Sequence, residues 1–296
     1  MPNKDAPLRA GLIVFLAYVI WGLMPFYWKA MKSVDASVIL GHRAVWSVVF
    51  TMLLLLAKGK LRETFAKVKS EPRTAALLFA SSITIAANWF LYIYAVNHGH
   101  IMQTSLGYFI NPLVSVAFGV IFFKERLRRA QTAAIALAAC GVAAEVIALG
   151  ELPVMSLGIA GTFGLYGVFK KQIKTEATQG LFVETFFLLV PALAWLYTCQ
   201  KTGVSHFPYS ASLNLLLIGT GVMTSVPLIL FAWGAQRIRL STLGLIQYTS
   251  PILTLLIAVF AYGEPFTGVK YVSFGLIWAA IALYTAEALI VSRASA

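Results

Sequence analysis

SLGYFINPLVSVAFGVIFFKE, residues 105–125, has the length and apolarity of a helix that crosses a bilayer, yet Pro112 stands near its centre, directly after Asn111. A proline removes its own N–H and frees the carbonyl four residues earlier, here that of Tyr108. Hydrocarbon offers no water to repair the loss. A second stretch, GLIQYTSPILTLLIAVFAYGE, residues 244–264, repeats the arrangement 139 residues on. Aligned without gaps, Pro112 meets Pro251, Glu125 meets Glu264, and Leu106 and Val120 meet Leu245 and Val259. Pro251 frees the carbonyl of Gln247. Both prolines are therefore read as helix breaks, although a packing kink beside a polar neighbour explains either one alone.

A companion match lies at an offset of 142, where Gly22, Leu23, Lys29 and Lys32 meet Gly164, Leu165, Lys171 and Lys174. Two halves follow, 1–149 and 150–296, each of five spans. Five is odd, so the second half enters the membrane upside down. Inverted repeats of this kind place a substrate site near the bilayer midplane, at the repeat interface.

Composition agrees with the bilayer as solvent. The chain of 296 residues is 59% hydrophobic and 11% charged, with mean hydropathy +0.81, whereas soluble domains carry about 25% charged residues. Ten apolar segments have spanning length: 9–28, 38–57, 74–95, 105–123, 131–147, 153–169, 180–196, 212–231, 240–262 and 267–291. The first is expected to be a retained span rather than a signal peptide, because its apolar run is too long and no A-x-A site precedes Trp21. The longest loop is 58–73. The predicted fold is all-α integral membrane, ten transmembrane helices as two inverted five-helix repeats around a central cavity.

The net charge of +12 is scattered over short loops, which argues for membrane topology rather than nucleic-acid binding. With the N-terminus in the cytoplasm, eighteen of the 23 Lys and Arg fall in inner loops or tails, Lys4, Lys170 and Lys171 among them, and four fall outside. Both termini are expected to be cytoplasmic. Cys140 and Cys199 supply neither a disulfide framework nor metal-ligand spacing. His98 and His100 read as a polar turn, so no metal is expected.

Polar and aromatic side chains gather near the prolines. Tyr108 and Asn111 flank Pro112; Gln247 and Tyr248 flank Pro251. Asn88 and Tyr92 share a face of the third span, Trp21 lies in the first, Tyr166 in the sixth and Trp233 late in the eighth. Together they are expected to line a cavity for a small zwitterion or a flat, partly apolar molecule. An interfacial aromatic belt is the competing account, and it suits Trp28 and Tyr94 best. Ionisable groups inside spans are His42, Arg43 and Glu184, with Glu145 and Glu287 nearer span ends. His42, Arg43 and Glu184 are the candidates for proton coupling; snorkelling from a span end is the alternative.

The blocks WGLMPFYWK at 21–29, GHRAVWS at 41–47, NWFLYIYAVNHGHIMQTSLGYFINPL at 88–113, GLYGVFKK at 164–171 and GLIQYTSP at 244–251 resemble the RarD proteins of the EamA group, in the drug/metabolite transporter superfamily. The resemblance covers nearly the whole chain. It implies ten helices in a basket around a central cavity, placement in the bacterial inner membrane, and ATP-independent export or exchange of metabolites, amino-acid-like compounds or drugs. Expected partners are a small-molecule substrate, the lipid bilayer and, as coupling ion, protons, with no nucleic acid, no cofactor and no ATP. No phosphate-binding G-x-x-x-x-G-K-[ST] loop occurs, and no clustered catalytic groups suggest an enzyme. A channel-like or accessory membrane subunit is the alternative to a carrier.

Overall fold

The computed structural model describes residues 6–98, 100–263 and 268–294. Lys4 and Glu264, both used in the expectations above, lie outside them. The described chain is helical. In order come α1 Ala6–Lys29, α2 Ala36–Ala57, α3 Leu61–Ser70, α4 Pro72–Asn97, α5 Ile101–Phe123, α6 Arg129–Leu149, α7 Val154–Gln172, α8 Ala177–Lys201, α9 Ala211–Ala235, α10 Leu240–Gln247, α11 Thr249–Leu256 and α12 Val269–Ala294, with a π-helical turn Ile257–Ala261 after α11.

Among the described residues, nine helical stretches are long and apolar enough to cross a membrane, with α10, α11 and the π turn forming one of them, Leu240–Ala261. α7, expected as the sixth span, is a 19-residue helix but is not one of the nine: four glycines and two lysines dilute its apolarity. It is nonetheless an inner helix, packed against α4, α5 and α9. The 58–73 loop is also more than a loop, because Leu61, Phe65 and Val68 recur at helical spacing and form the apolar stripe of α3. Phe65 packs edge-on against Phe182 and Phe186.

The two prolines behave differently, and this corrects the expectation of paired helix breaks. α5 runs through Pro112 without interruption. One proline deletes one hydrogen bond of the ladder, and the bonds on either side hold the helical path. The ninth span does break: α10 ends at Gln247, Tyr248 makes the turn, and α11 resumes at Thr249. Both prolines are buried against protein.

Close helix approach sets the packing. α5 lies along α7 and α10, α1 along α9, α10 and α11, α2 between α8 and α9, α4 on α7 and α8, and α6 on α12. α10 crosses α5 so tightly that a Cβ on Gly244 would stand 2.6 Å from the Pro112 carbonyl oxygen. At Gly221 the same atom would meet the Trp46 carbonyl oxygen at 2.4 Å, bringing α9 onto α2. Glu125 ties the end of α5 to the start of α10. Its carboxylate accepts from Leu240 N (2.8 Å), Ser241 N (2.9 Å) and Ser241 Oγ (2.7 Å), and Lys171 Nζ lies 3.7 Å away. An anion at a helix N-terminus satisfies backbone donors that have no partner within the helix.

Candidate functional site

Aromatic rings from three helices close the middle of the bundle. Tyr18 and Trp21 of α1, Phe163 and Tyr166 of α7, and Phe231 of α9 interlock with centroid distances of 5.1 to 6.2 Å. Tyr166 stacks nearly parallel on Phe231 and is fully buried. Two of the expected cavity residues, Trp21 and Tyr166, thus belong to a packed plug.

Two turns farther along α1 the character changes. Arg43 of α2 is flanked by two indoles, its Cζ standing 5.2 Å from the Trp28 ring and 4.9 Å from the Trp89 ring. Both distances fall in the cation–π range. Its Nε donates to Thr224 Oγ1 of α9 at 3.1 Å. Tyr92 and Tyr108 pair close by with centroids 6.2 Å apart, near enough to sense the guanidinium charge. Tyr108 is 46% exposed, so part of its ring is left uncovered by protein. Arg43, Tyr92 and Tyr108 are brought together here as one wall.

Where α1, α5 and α10 meet lie buried polar atoms in no well-formed hydrogen bond among the described residues: Tyr18 Oη, Asn111 Oδ1 and both amide atoms of Gln247, with the Tyr18 hydroxyl and the Gln247 side chain next to each other. Gln247 reaches the Tyr18 side of α1 from α10. Asn111 sits on α5 beside the Pro112–Gly244 crossing. Buried polar groups are paired in the great majority of cases, so such a concentration requires explanation.

The other expected cavity residues go elsewhere. Tyr248 is fully buried in a separate cluster with Ala134, Ala138, Leu245 and Ile277, because it shares with Leu245, three residues earlier, the helix face turned toward α6 and α12. Trp233 only borders the plug and lies under Arg237, whose Cζ is 3.9 Å from its ring. Asn88 is occupied in holding α4 to α7, its Nδ2 donating to the Ile159 carbonyl at 2.8 Å and to Thr162 Oγ1 at 3.1 Å.

The expected coupling residues also separate. Glu184 does not snorkel. It is buried, and its carboxylate accepts from Lys170 Nζ (2.6 Å) and Ser81 Oγ (2.7 Å), with the Tyr166 hydroxyl at 3.4 Å. Lys170 is equally buried, so it is a partner of Glu184 inside the bundle rather than a free charge of an inner loop. His42 lies on the far side of α2, accepting from Trp46 Nε1 at 3.2 Å. It borders a cleft of about 440 Å³ formed with Leu196, Gln200 and Phe207. Arg43 faces the inner wall. Glu145 accepts from Ser273 Oγ (2.5 Å) and Glu287 from Arg128 (2.8 Å), both pairings holding α12 in place. His98 Nδ1 donates to the Tyr94 carbonyl at 2.8 Å, and His100 precedes α5 as its N-cap.

Sequence reasoning passed over Trp28, Thr224 and Lys170. Trp28 and Lys170 lie at span ends, where belt or loop roles are the usual ones. Thr224 carries no signal until α9 packs on α2.

The pattern of the EamA-like transporter family matches the chain twice, over residues 8–145 and 152–286. Protein RarD of Salmonella typhi is 43% identical over 287 residues, covering 96% of this chain and 97% of its own. A Bacillus subtilis protein described as an uncharacterized transporter, YojE, is 41% identical over 298 residues, covering 99% of both chains. A protein crystal structure, at 20% identity, superposes with TM-score 0.74 over 96% of this chain and 99% of the other.

Proposed function

The chain belongs to the EamA-like transporter family, and from that premise we propose that it is a secondary carrier of small organic molecules. It works by alternating access between two inverted five-helix halves, residues 1–149 and 150–296. Two family matches, broken between 145 and 152, support the division. So does the helix pairing. Exchanging the halves turns the α5–α7 contact into that of α1 with α10 and α11, and the α4–α7 contact into α1–α9; α2–α8, α6–α12 and α5–α10 map onto themselves.

The observation that carries the reading is the seam of unpartnered polar atoms, Tyr18 Oη, Asn111 Oδ1 and the Gln247 amide. It lies where α1 and α5 of one half meet α10 of the other. Buried donors and acceptors cost roughly 1–3 kcal/mol each when unmet, a cost that substrate or its water can offset. The aromatic plug closes one side of this seam, and the exposed ring of Tyr108 marks the other as the point of entry. In this reading the substrate leaves or enters past Tyr92 and Tyr108, and rearrangement of the plug gives access to the opposite face.

Both termini face the cytoplasm of a bacterial inner membrane. Discounting buried Lys170, the loop charges still favour this orientation heavily. Export or exchange runs without ATP. Protons are the candidate coupling ion, through Glu184 or His42. Arg43 is unsuited to that role, because a guanidinium does not lose its proton in the physiological range.

The test is flux into proteoliposomes preloaded with amino acids and small organic acids, with and without a pH gradient. Saturable uptake stimulated by solute on the far side is the expected result. Flux that does not saturate would indicate a channel, and no flux for any small solute would overturn the carrier reading.

A further inference from the structure

Resting on the carrier reading, we infer that Arg43 anchors a single carboxylate of the transported molecule, whose apolar or aromatic body lies against Tyr92 and Tyr108. Arg43 stands about 10 Å inside the start of α2, where an ionised group is expensive and marks function by default. Of its five donors, one is used among the described residues, Nε to Thr224 Oγ1. Among the described residues no carboxylate approaches within 4 Å.

The missing carboxylate is not held in reserve nearby. The described acidic groups within the membrane helices are engaged, Glu125 on the α10 N-terminus, Glu145 on Ser273, Glu184 on Lys170 and Glu287 on Arg128, and so are those at helix ends, Asp35 on Ser37, Glu71 on Thr74, Glu151 on Gln103 and Glu176 on Lys58 and Lys60. Trp28 and Trp89 offer faces rather than acceptors. The indoles stabilise the cation without neutralising it. The unused guanidinium N–H groups form a planar fork, which matches a carboxylate in bidentate fashion.

The same inventory sorts ligand classes. A cation meets a positive site and no acid. A phosphate dianion meets one positive charge where it needs two. A zwitterion satisfies Arg43, but its ammonium meets only neutral acceptors, the Asn111 and Gln247 amide oxygens and tyrosine hydroxyls, and aromatic faces, with no carboxylate to balance it. A monocarboxylate satisfies Arg43 outright, and its body covers the exposed ring of Tyr108.

Thermal unfolding of the purified full chain reads this directly, with three probes of one shape: 3-phenylpropionate, 3-phenylpropanamide and 3-phenylpropylammonium. Benzoate and hexanoate extend the acid set. Ligand that binds the folded state raises the melting temperature by mass action. The acids are expected to stabilise the wild type. The amide should bind roughly 10- to 100-fold more weakly, the worth of a charge-assisted hydrogen bond, and the amine should not bind. Arg43→Gln should lose the acid shift relative to its own ligand-free melting point, and Arg43→Lys should keep part of it. If Arg43→Gln does not fold, the three probes on the unaltered protein decide the question.

Stabilisation by the amine equal to that by the acid, an acid shift retained in Arg43→Gln, or no shift from any acid each overturns the inference. Solute flux in proteoliposomes accompanied by any of these leaves the carrier reading standing. An acid shift without flux of any solute overturns the carrier reading and retains the anion site.

Discussion

Replacing Glu184 by Gln should destabilise the protein far more than loss of one hydrogen bond would suggest. Glu184 and Lys170 have side-chain exposures of 1% and 2%, and Nζ stands 2.6 Å from Oε2. At an effective dielectric constant near 20, two unit charges at that distance attract by about 6 kcal/mol, set against the desolvation of both. Glutamine keeps a carbonyl for Ser81 but leaves the Lys170 ammonium buried without a counter-charge. Breaking a buried pair on one side costs about 3–5 kcal/mol. For a chain of this size that is a melting temperature roughly 6–10 °C below wild type. Removing both charges should recover most of the loss, since replacement of a buried pair by apolar groups of similar volume is near neutral or favourable. The assay is thermal unfolding of Glu184→Gln, Lys170→Met and the double variant Glu184→Leu with Lys170→Met. A Glu184→Gln shift below about 2 °C, with no recovery in the double variant, would refute a closed, mutually dependent pair.

Other perturbations have equally definite outcomes. Gly221→Leu should separate α9 from α2, because its Cβ would stand 2.4 Å from the Trp46 carbonyl oxygen; the cost is about 1–3 kcal/mol, seen as a lower melting temperature. Glu125→Ala exposes the backbone donors of Leu240 and Ser241 at the start of α10 and should cost about 0.5–2 kcal/mol, with Glu125→Gln recovering part. On the loops, hydrogen bonding from Lys60, and next from Lys58, holds the Glu176 carboxyl below the ordinary carboxylate range. A depressed carboxylate stabilises above its ordinary value of 4.5 and loses that contribution as pH falls through the lower folded value. Melting should therefore be insensitive to this group at neutral pH and decline on acidification, and Glu176→Gln should remove only that acidic component.

Much of the fold was legible because bilayers impose strong constraints. Spanning helices must be long and apolar, so ten segments of spanning length could be read from the chain, and nine of them are helices long and apolar enough to cross among the described residues. The tenth segment, α7, shows the same rule at its margin. An inner helix surrounded by other helices tolerates glycines and lysines that a lipid-facing helix would not, since its polar groups find protein partners. α3 was missed because its stripe is short and its composition is that of a loop. Pro112 misled because a proline states which hydrogen bond is lost but not whether the rest of the helix holds.

The candidate site was legible only in its residue types. Asn111, Gln247, Tyr92, Tyr108 and Arg43 stand out in sequence as polar or aromatic groups within apolar runs; in the structure Asn111 and Gln247 are buried, Arg43 and Tyr92 half-buried and Tyr108 exposed. Tyr248 stands out equally but turns toward α6 and α12, because adjacent residues on a helix point about 100° apart and Tyr248 lies on the Leu245 face rather than that of Gln247. Glu184 and Lys170 look like two span-end charges until α7 and α8 meet.

The sequence by itself determined the solvent, the helices and the presence of a family, since these depend on local apolarity and on motifs contiguous in the chain. Tertiary structure alone decided partnership: Lys170 with Glu184, Thr224 and two indoles with Arg43, and Tyr18 beside Gln247. The physical reason is distance. An ionised or polar group in a membrane protein has its meaning set by what lies within about 4 Å of it, and in a bundle those neighbours come from helices far apart in the chain.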